Sequence, residues 1–503
     1  NVIIGYEAGN DTGGSKAVII GNYAGDDNSP SNAVIIGYRA GRVINGENAT
    51  AIGYDALKAA TEPDNTAVGA YALQALVDGE NNTALGIAAG YRIDKGDDST
   101  FLGWYAGYNA TGSDNTFVGS EAGKGGTDSA PYSSGTSNVA VGYQALTAFT
   151  TGINNVAVGV EAGDALTIGT NNVALGKGAL SAEDVGNGTV AIGRDALLRQ
   201  NSDSNNEVTL NVAVGINAGN VLTTAQNSTL MGAYSGEAVT IDGNTAIGSQ
   251  AMRYLGAGGY NTAIGDSALK GATASAGSNN AQMNVAVGRQ SLRYITDGDY
   301  NVAIGHFSLN ALTTADSNVG IGNDSLRALT TAGSNVAIGH QAMLVHTTGG
   351  DNIAIGANAM NDTDAGSTSL GSADNIFMGY DAGGGTWTDV ASNYNLAIGN
   401  YTMDAALNGA LYNIAMGYNS LTALTTGDAN VSIGYGAGYA YDHDDLDGFS
   451  RQNCFPDGMD RQIFYQPVER GYEREIAKRL AYWERLRASK QPTLKTDKKT
   501  DEG

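Results

Sequence analysis

One phrase repeats along most of this chain, and that repetition limits its fold more than any other feature. NVAIGHFSLNALTTADS, NVGIGNDSLRALTTAGS and NVAIGHQAM follow one another from Asn301 to Met343. Their glycines, Gly305, Gly322 and Gly339, lie 17 residues apart. The same anchor glycine occurs in 25 copies between Gly5 and Gly434, mostly 16 or 17 residues apart, with a few steps of 18 to 23. A fixed period of this length is the signature of a repeat architecture and overrides a domain count based on length.

The rules inside the unit are strict. Ile, Val, Leu or Met precedes the glycine, and Ala, Ser or Thr stands three residues after it. Gly, Leu or Met stands four after it, and Asn four before it in 19 of the 25 copies. The phrase NVAVG alternates with period two, which predicts a strand. Gly, Asn and Thr at every turn of the phrase disfavour helix. We expect a second short strand over the x-x-A-L segment, with turns at TTG, DG and AGS. The reading is all-β: a parallel β-roll or β-solenoid of about 25 rungs of 16–17 residues. Rungs about 4.8 Å apart would stack Ile, Val and Leu into a thin core, with Asn forming an amide ladder. Glycine is expected in a backbone conformation closed to other residues. The opposite strand face, carrying Ala, is expected to pack against other chains in a parallel homotrimer.

Composition removes several function classes. The net charge of −24 disfavours nucleic acid, whose phosphates need a basic face, and anionic lipid. Six prolines and no G-X-Y period exclude collagen. A lone Cys454 permits no intrachain disulfide, and no run of 18 apolar residues suggests membrane insertion. The chain opens inside a repeat without methionine, so we expect sequence before Asn1.

NVAIGHFSLNALTTADS and NTAVGAYALQALVDGEN resemble the NTAxGxxAL repeats of bacteriophage tail-fibre proteins. They are also similar to the head repeats of YadA-type trimeric adhesins. The resemblance spans Asn1 to about Gly438. It implies a left-handed trimeric β-roll that projects from a particle or cell. The implied partners are a host cell-surface glycan or protein receptor and other virion tail proteins. No membrane barrel of alternating strands is visible, which favours a virion fibre over a bacterial adhesin or extracellular fibre.

After Gly438 the character changes. We place the repeat shaft at 1–440 and a separate basic module at 441–503. Residues 451–503 carry 12 Lys and Arg against 9 acids. Tyr472, Ile476, Leu480, Trp483 and Leu486 fall on one helical face, which predicts a helix over about 469–489 between Pro467 and Pro492. Such a helix suits docking, trimer formation or capping of an open solenoid end. Lys495–Gly503 reads as disordered.

No catalytic, cofactor-binding or metal-ligating residue stands out. His306 and His340 share a repeat position two rungs apart, too far for joint ligation, and His346 and His443 stand singly. Asp97–Asp98 and Asp442, Asp444 and Asp445 could be drawn into a carboxylate pair of a polysaccharide-cleaving spike, but nothing selects them. Calcium β-roll nonapeptides are absent. Glycines in strand repeats without a following helix are not a nucleotide fingerprint. Tyrosines crowd just after the anchor glycine, directly at Tyr6, Tyr38, Tyr54, Tyr143, Tyr380, Tyr418 and Tyr435. They stand one further on at Tyr23, Tyr71, Tyr105, Tyr234 and Tyr401. Packing along the rod or trimer seam is the expected role, and stacking on sugars the alternative. The enlarged turns 124–137 and 270–283 are the other expected receptor contacts. The chain is therefore read as a non-enzymatic fibre protein.

Overall fold

The computed structural model describes residues 1–438 apart from 11–13, 28–30, 127–130, 206, 273–278, 364–370 and 389, together with Lys478, Ala481, Tyr482 and Arg485. It divides into two compact units, Asn1–Gln341 and Ala342–Gly503. The first holds twenty three-residue strands, β1 (Val2–Ile4) to β20 (Val336–Ile338). The second holds five, β21 (Ile353–Ile355) to β25 (Val431–Ile433). Within each unit every strand pairs in parallel with the next, like position on like position, as in Val302↔Val319 and Ile304↔Ile321. Each unit is thus a parallel β-solenoid, as the repeat demands. Longer steps leave the register untouched. Thr116 still pairs with Val139, and Thr262 with Val285, across the longer connections.

The anchor glycine is fixed twice over. Its φ lies between 126° and 146° in all 25 rungs, a region that side chains rarely enter. A Cβ on Gly305 would also overlap the carbonyl of Gly322 in the next rung. Only backbone without a side chain can bend there.

The expected second strand is absent from the described residues. The segment after the glycine is instead a turn that enters the left-handed region twice, as at Asp55 (φ 50°) and Leu57 (φ 47°). This turn still bonds to its neighbours. Tyr71 N–H donates to Tyr54 O in the preceding rung at 2.8 Å, and Leu73 N–H to Ala89 O in the following one at 3.0 Å. The alternation of φ sends successive amides in opposite directions, which satisfies them without an extended strand.

The core lies on the other side of the strand from the one expected. The small central residue points inward and is fully buried, as at Ala246, Ala263 and Ala303. Its Val, Thr or Ile neighbours point outward and stay partly exposed. Inside, the central residue meets the side chain four after the glycine. Leu57, Leu73, Met252 and Leu309 are fully buried there despite positive φ. Burial of a Leu or Met, about 1.5–3 kcal/mol, outweighs a left-handed penalty of roughly 1–2 kcal/mol.

The asparagine ladder runs along the inner corner. Oδ1 of Asn284 accepts the backbone N–H of Asn301 at 2.8 Å and its Nδ2 at 3.1 Å. Asn318 repeats this on Asn301, and Asn335 on Asn318. Nδ2 of Asn301 also donates to the turn carbonyl of Ala315 at 2.9 Å. These amides are buried, and each one joins strand start, turn and neighbouring rung.

Of the expected C-terminal helix, the described Lys478, Ala481, Tyr482 and Arg485 are helical. The apolar stripe Tyr472, Ile476, Leu480, Trp483 and Leu486, the acidic Asp442–Asp445 stretch, His443 and Lys495–Gly503 lie outside the described residues.

Candidate functional site

The repeat places a residue just after each anchor glycine at the rung surface, and stacking brings like residues together. In the first unit these residues, joined by Tyr91 and Tyr108 five residues after their own glycines, form a chain of rings. Tyr6, Tyr23, Tyr38, Tyr54, Tyr71, Tyr91 and Tyr108 follow one another at centroid distances of 5.6, 5.9, 5.3, 5.2, 6.3 and 4.9 Å. Tyr105 and Trp104 continue it at 4.5 and 4.3 Å. In the second unit Tyr380, Tyr401, Tyr418 and Tyr435 form a shorter chain at 5.4, 5.7 and 5.5 Å. The rings pack on each other, yet Tyr38, Tyr54 and Trp104 remain more than two-fifths exposed.

At the end of the first chain, Pro131, Tyr132 and Ser134 of the 124–137 insertion stand beside residues of preceding rungs. Ala75, Arg92, Asp94, Lys95, Thr111, Pro131, Tyr132 and Ser134 line a cleft of about 550 Å³. The Arg92 guanidinium carbon lies 4.9 Å from the Tyr91 ring centre and 5.0 Å from that of Tyr132. Its Nε is buried without a hydrogen-bond partner among the described residues. Burial raises the Tyr108 hydroxyl above its ordinary range, and the adjacent Arg92 pulls the other way. Lys95 pairs with Asp78 at 3.2 Å, both side chains half-exposed or more.

A second cationic and aromatic patch adjoins the 270–283 insertion. Arg253 lies over Tyr234 and Tyr254 at 4.5 and 5.0 Å, and Lys270 over Tyr254 at 5.4 Å. Burial, then Arg293 and Arg253, hold the Lys270 ammonium below its ordinary range. Glu237 bonds the Arg253 Nε at 2.7 Å.

The other candidates have structural surroundings. His346 is buried, with Nε2 2.7 Å from Gly349 O and Nδ1 2.9 Å from the Thr363 hydroxyl. His306 contacts Arg289 at 3.2 Å and Asn323 at 3.1 Å, and His340 is exposed. Asp97 accepts the backbone N–H of Glu80 at 3.0 Å, and Asp299 and Asp316 do the same for Gln282 and Asp299. Turn carboxylates at this register thus tie one rung to the next. Among the described residues no three His, Cys, Asp or Glu side chains converge as metal ligands.

The two insertions were legible as candidates in the sequence. Arg92, Asp94, Lys95 and Thr111 were not, because they come from ordinary rungs that only stacking brings beneath Tyr132.

Comparison with known proteins concerns the other end of the chain. Residues 420–484 match the family described as MgsA AAA+ ATPase C terminal. Over 87 residues, 16% of this chain, the sequence is 40% identical to an uncharacterized AAA domain-containing protein of Mycobacterium tuberculosis. The chain spans about a fifth (19%) of the length of that curated relative. The match begins at Ser420, whose hydroxyl donates to Ser432 O in β25, the following rung, at 3.1 Å. The phosphate-loop sequence of ATPases, G-x-x-x-x-G-K-[ST], does not occur in the 503 residues.

Proposed function

We propose that the chain is a non-enzymatic structural and adhesive fibre. In this reading it is the trimeric shaft of a phage tail fibre in the virion, holding a host-binding surface outward and joined to other tail proteins. A bacterial cell-surface adhesin or extracellular fibre is the alternative setting. The observation that carries the reading is the outward strand face. Ile247, Ile264, Ile304, Ile355 and Ile398 each expose 36–40% of their surface on the outer side of their solenoids. Contiguous apolar rows of this kind mark interaction surfaces. A row repeated at every rung matches a partner with the same period, and another copy of this chain has that period.

The test is incubation of the purified chain with a panel of bacterial cells and their extracted polysaccharides. Adhesion with polysaccharide length unchanged supports a fibre. Shortened chains would overturn the non-enzymatic assignment in favour of a depolymerase, and adhesion to no cell would overturn the adhesive one. The match at 420–484 favours a second reading, in which the C-terminal segment serves an AAA+ ATPase. Co-sedimentation of the purified chain with a purified AAA+ ATPase decides for that reading, and no association overturns it.

A further inference from the structure

We infer that the cleft between Ala75 and Ser134 is a binding site for carboxylate-bearing sugars of the hexuronate type, which rests on the adhesive reading above. Its volume of about 550 Å³ falls within the roughly 300–1,000 Å³ of small-ligand sites. The lining has the groups a sugar needs. Tyr132 and Pro131 supply apolar wall for a pyranose face. Thr111, Ser134 and Asp94 supply hydroxyl and carboxylate partners for ring hydroxyls.

Arg92 and Lys95 select the charge. A neutral sugar needs no cation, and on a chain of net charge −24 an acidic glycan is favoured only where cations gather. Arg92 is oriented in advance by the rings of Tyr91 and Tyr132 on either side. Its guanidinium lines the cleft, and a planar fork of N–H donors suits a carboxylate. Lys95 pairs with Asp78 in an exposed ion pair, which is weak enough to yield to a ligand. Arg92 and Lys95 line the same cleft as the Tyr132 ring.

The experiment is saturation-transfer NMR on the full chain with D-glucuronate, and with D-glucose as the neutral control. Glucuronate is expected to receive saturation and glucose little. Arg92→Gln is expected to weaken glucuronate at least tenfold, and Tyr132→Ala to abolish its signal. Lys95→Gln, at an exposed position that the fold does not need, is expected to weaken it several-fold. Equal signals from both sugars, no signal from glucuronate, or indifference to both Arg92→Gln and Lys95→Gln would each overturn the site. The two levels separate in the cell-adhesion assay. Wild-type chain that adheres to no cell overturns the adhesive reading. Adhesion kept by Arg92→Gln, with glucuronate binding absent from wild type, overturns the cleft alone.

Discussion

The ring of Phe101 fills the volume above Gly107, where a Cβ would overlap it. The exchange recurs wherever a strand centre is large. Phe117 faces Gly123, Leu230 faces Gly236 and Phe377 faces Gly383. Where the centre is Ala, the position four after the anchor glycine is usually Leu or Met, as in Ala51 with Leu57 and Ala246 with Met252. At Gly163, which follows a small Ala157, Leu166 reaches in instead, 3.0 Å from a built Cβ. Each rung is therefore filled once, from one side or the other, as a close-packed core requires.

The exchange makes a coupling prediction. Phe101→Ala alone should cost about 3–5 kcal/mol through the cavity it opens. Gly107→Leu alone should also destabilise, because the ring occupies its space. The double variant recreates the Ala51 and Leu57 pair and should be more stable than either single variant. A double-mutant cycle from urea unfolding measures the coupling, and simple additivity would refute the exchange.

Two anchor glycines separate strain from collision. Gly305→Ala meets both a forbidden φ of 135° and the Gly322 carbonyl. Gly434→Ala meets a φ of 132° but, among the described residues, only the Ala437 Cβ, at 3.7 Å. The second should therefore lose about 1–3 kcal/mol, and the first clearly more. Equal losses in thermal melts would mean that the carbonyl gives way freely.

Asn318→Ala tests the ladder. It removes the acceptor for the Asn335 N–H, at 3.0 Å, and leaves Asn301 Oδ1 without one of its donors. A buried donor left unmet costs about 1–3 kcal/mol. Hydrogen exchange should accelerate at the Asn335 amide and its rung neighbours. Unchanged protection there would remove the ladder from the list of forces joining rungs.

Asp164 gives a pH signature. Burial raises its carboxyl above the ordinary 3.8, against a hydrogen bond from Ser181. Its folded form therefore holds a proton to higher pH than its unfolded form. The resulting stabilisation is complete below the ordinary value and is lost as pH rises through the folded one. Asp164→Asn stays neutral throughout. The Tm of the variant relative to wild type should climb as pH rises above the ordinary carboxylate range. A constant difference would show that burial exerts no such effect.

The sequence carried the rung more clearly than its cross-section. Period two in NVAVG and recurrence of Gly305, Gly322 and Gly339 give strand, register and stacking, because each copy must fit the same slot. The Asn ladder followed from the same logic. Which strand face is inside did not follow. Val and Ile are more apolar than Ala, so they were assigned to the core. The turn after the glycine decides otherwise, since its double left-handed path brings Leu57 or Met252 inward opposite Ala. The x-x-A-L segment alternates like a strand but lacks a strand's φ. At the cleft, Tyr132 lay in a visible insertion, whereas Arg92 and Lys95 had only stacking to mark them. The C-terminal segment is marked in the sequence by its charge and its prolines. Its similarity at 420–484 resides in residue identities that periodicity does not register.

The outward face at Ile264 bears directly on the account's central claim, that this shaft works as a trimer. Sedimentation equilibrium of the full chain measures it. The account predicts a mass of three times 51.4 kDa, falling toward one chain in Ile264→Asp/Ile304→Asp. A wild-type chain that sediments at 51.4 kDa at every concentration would contradict it.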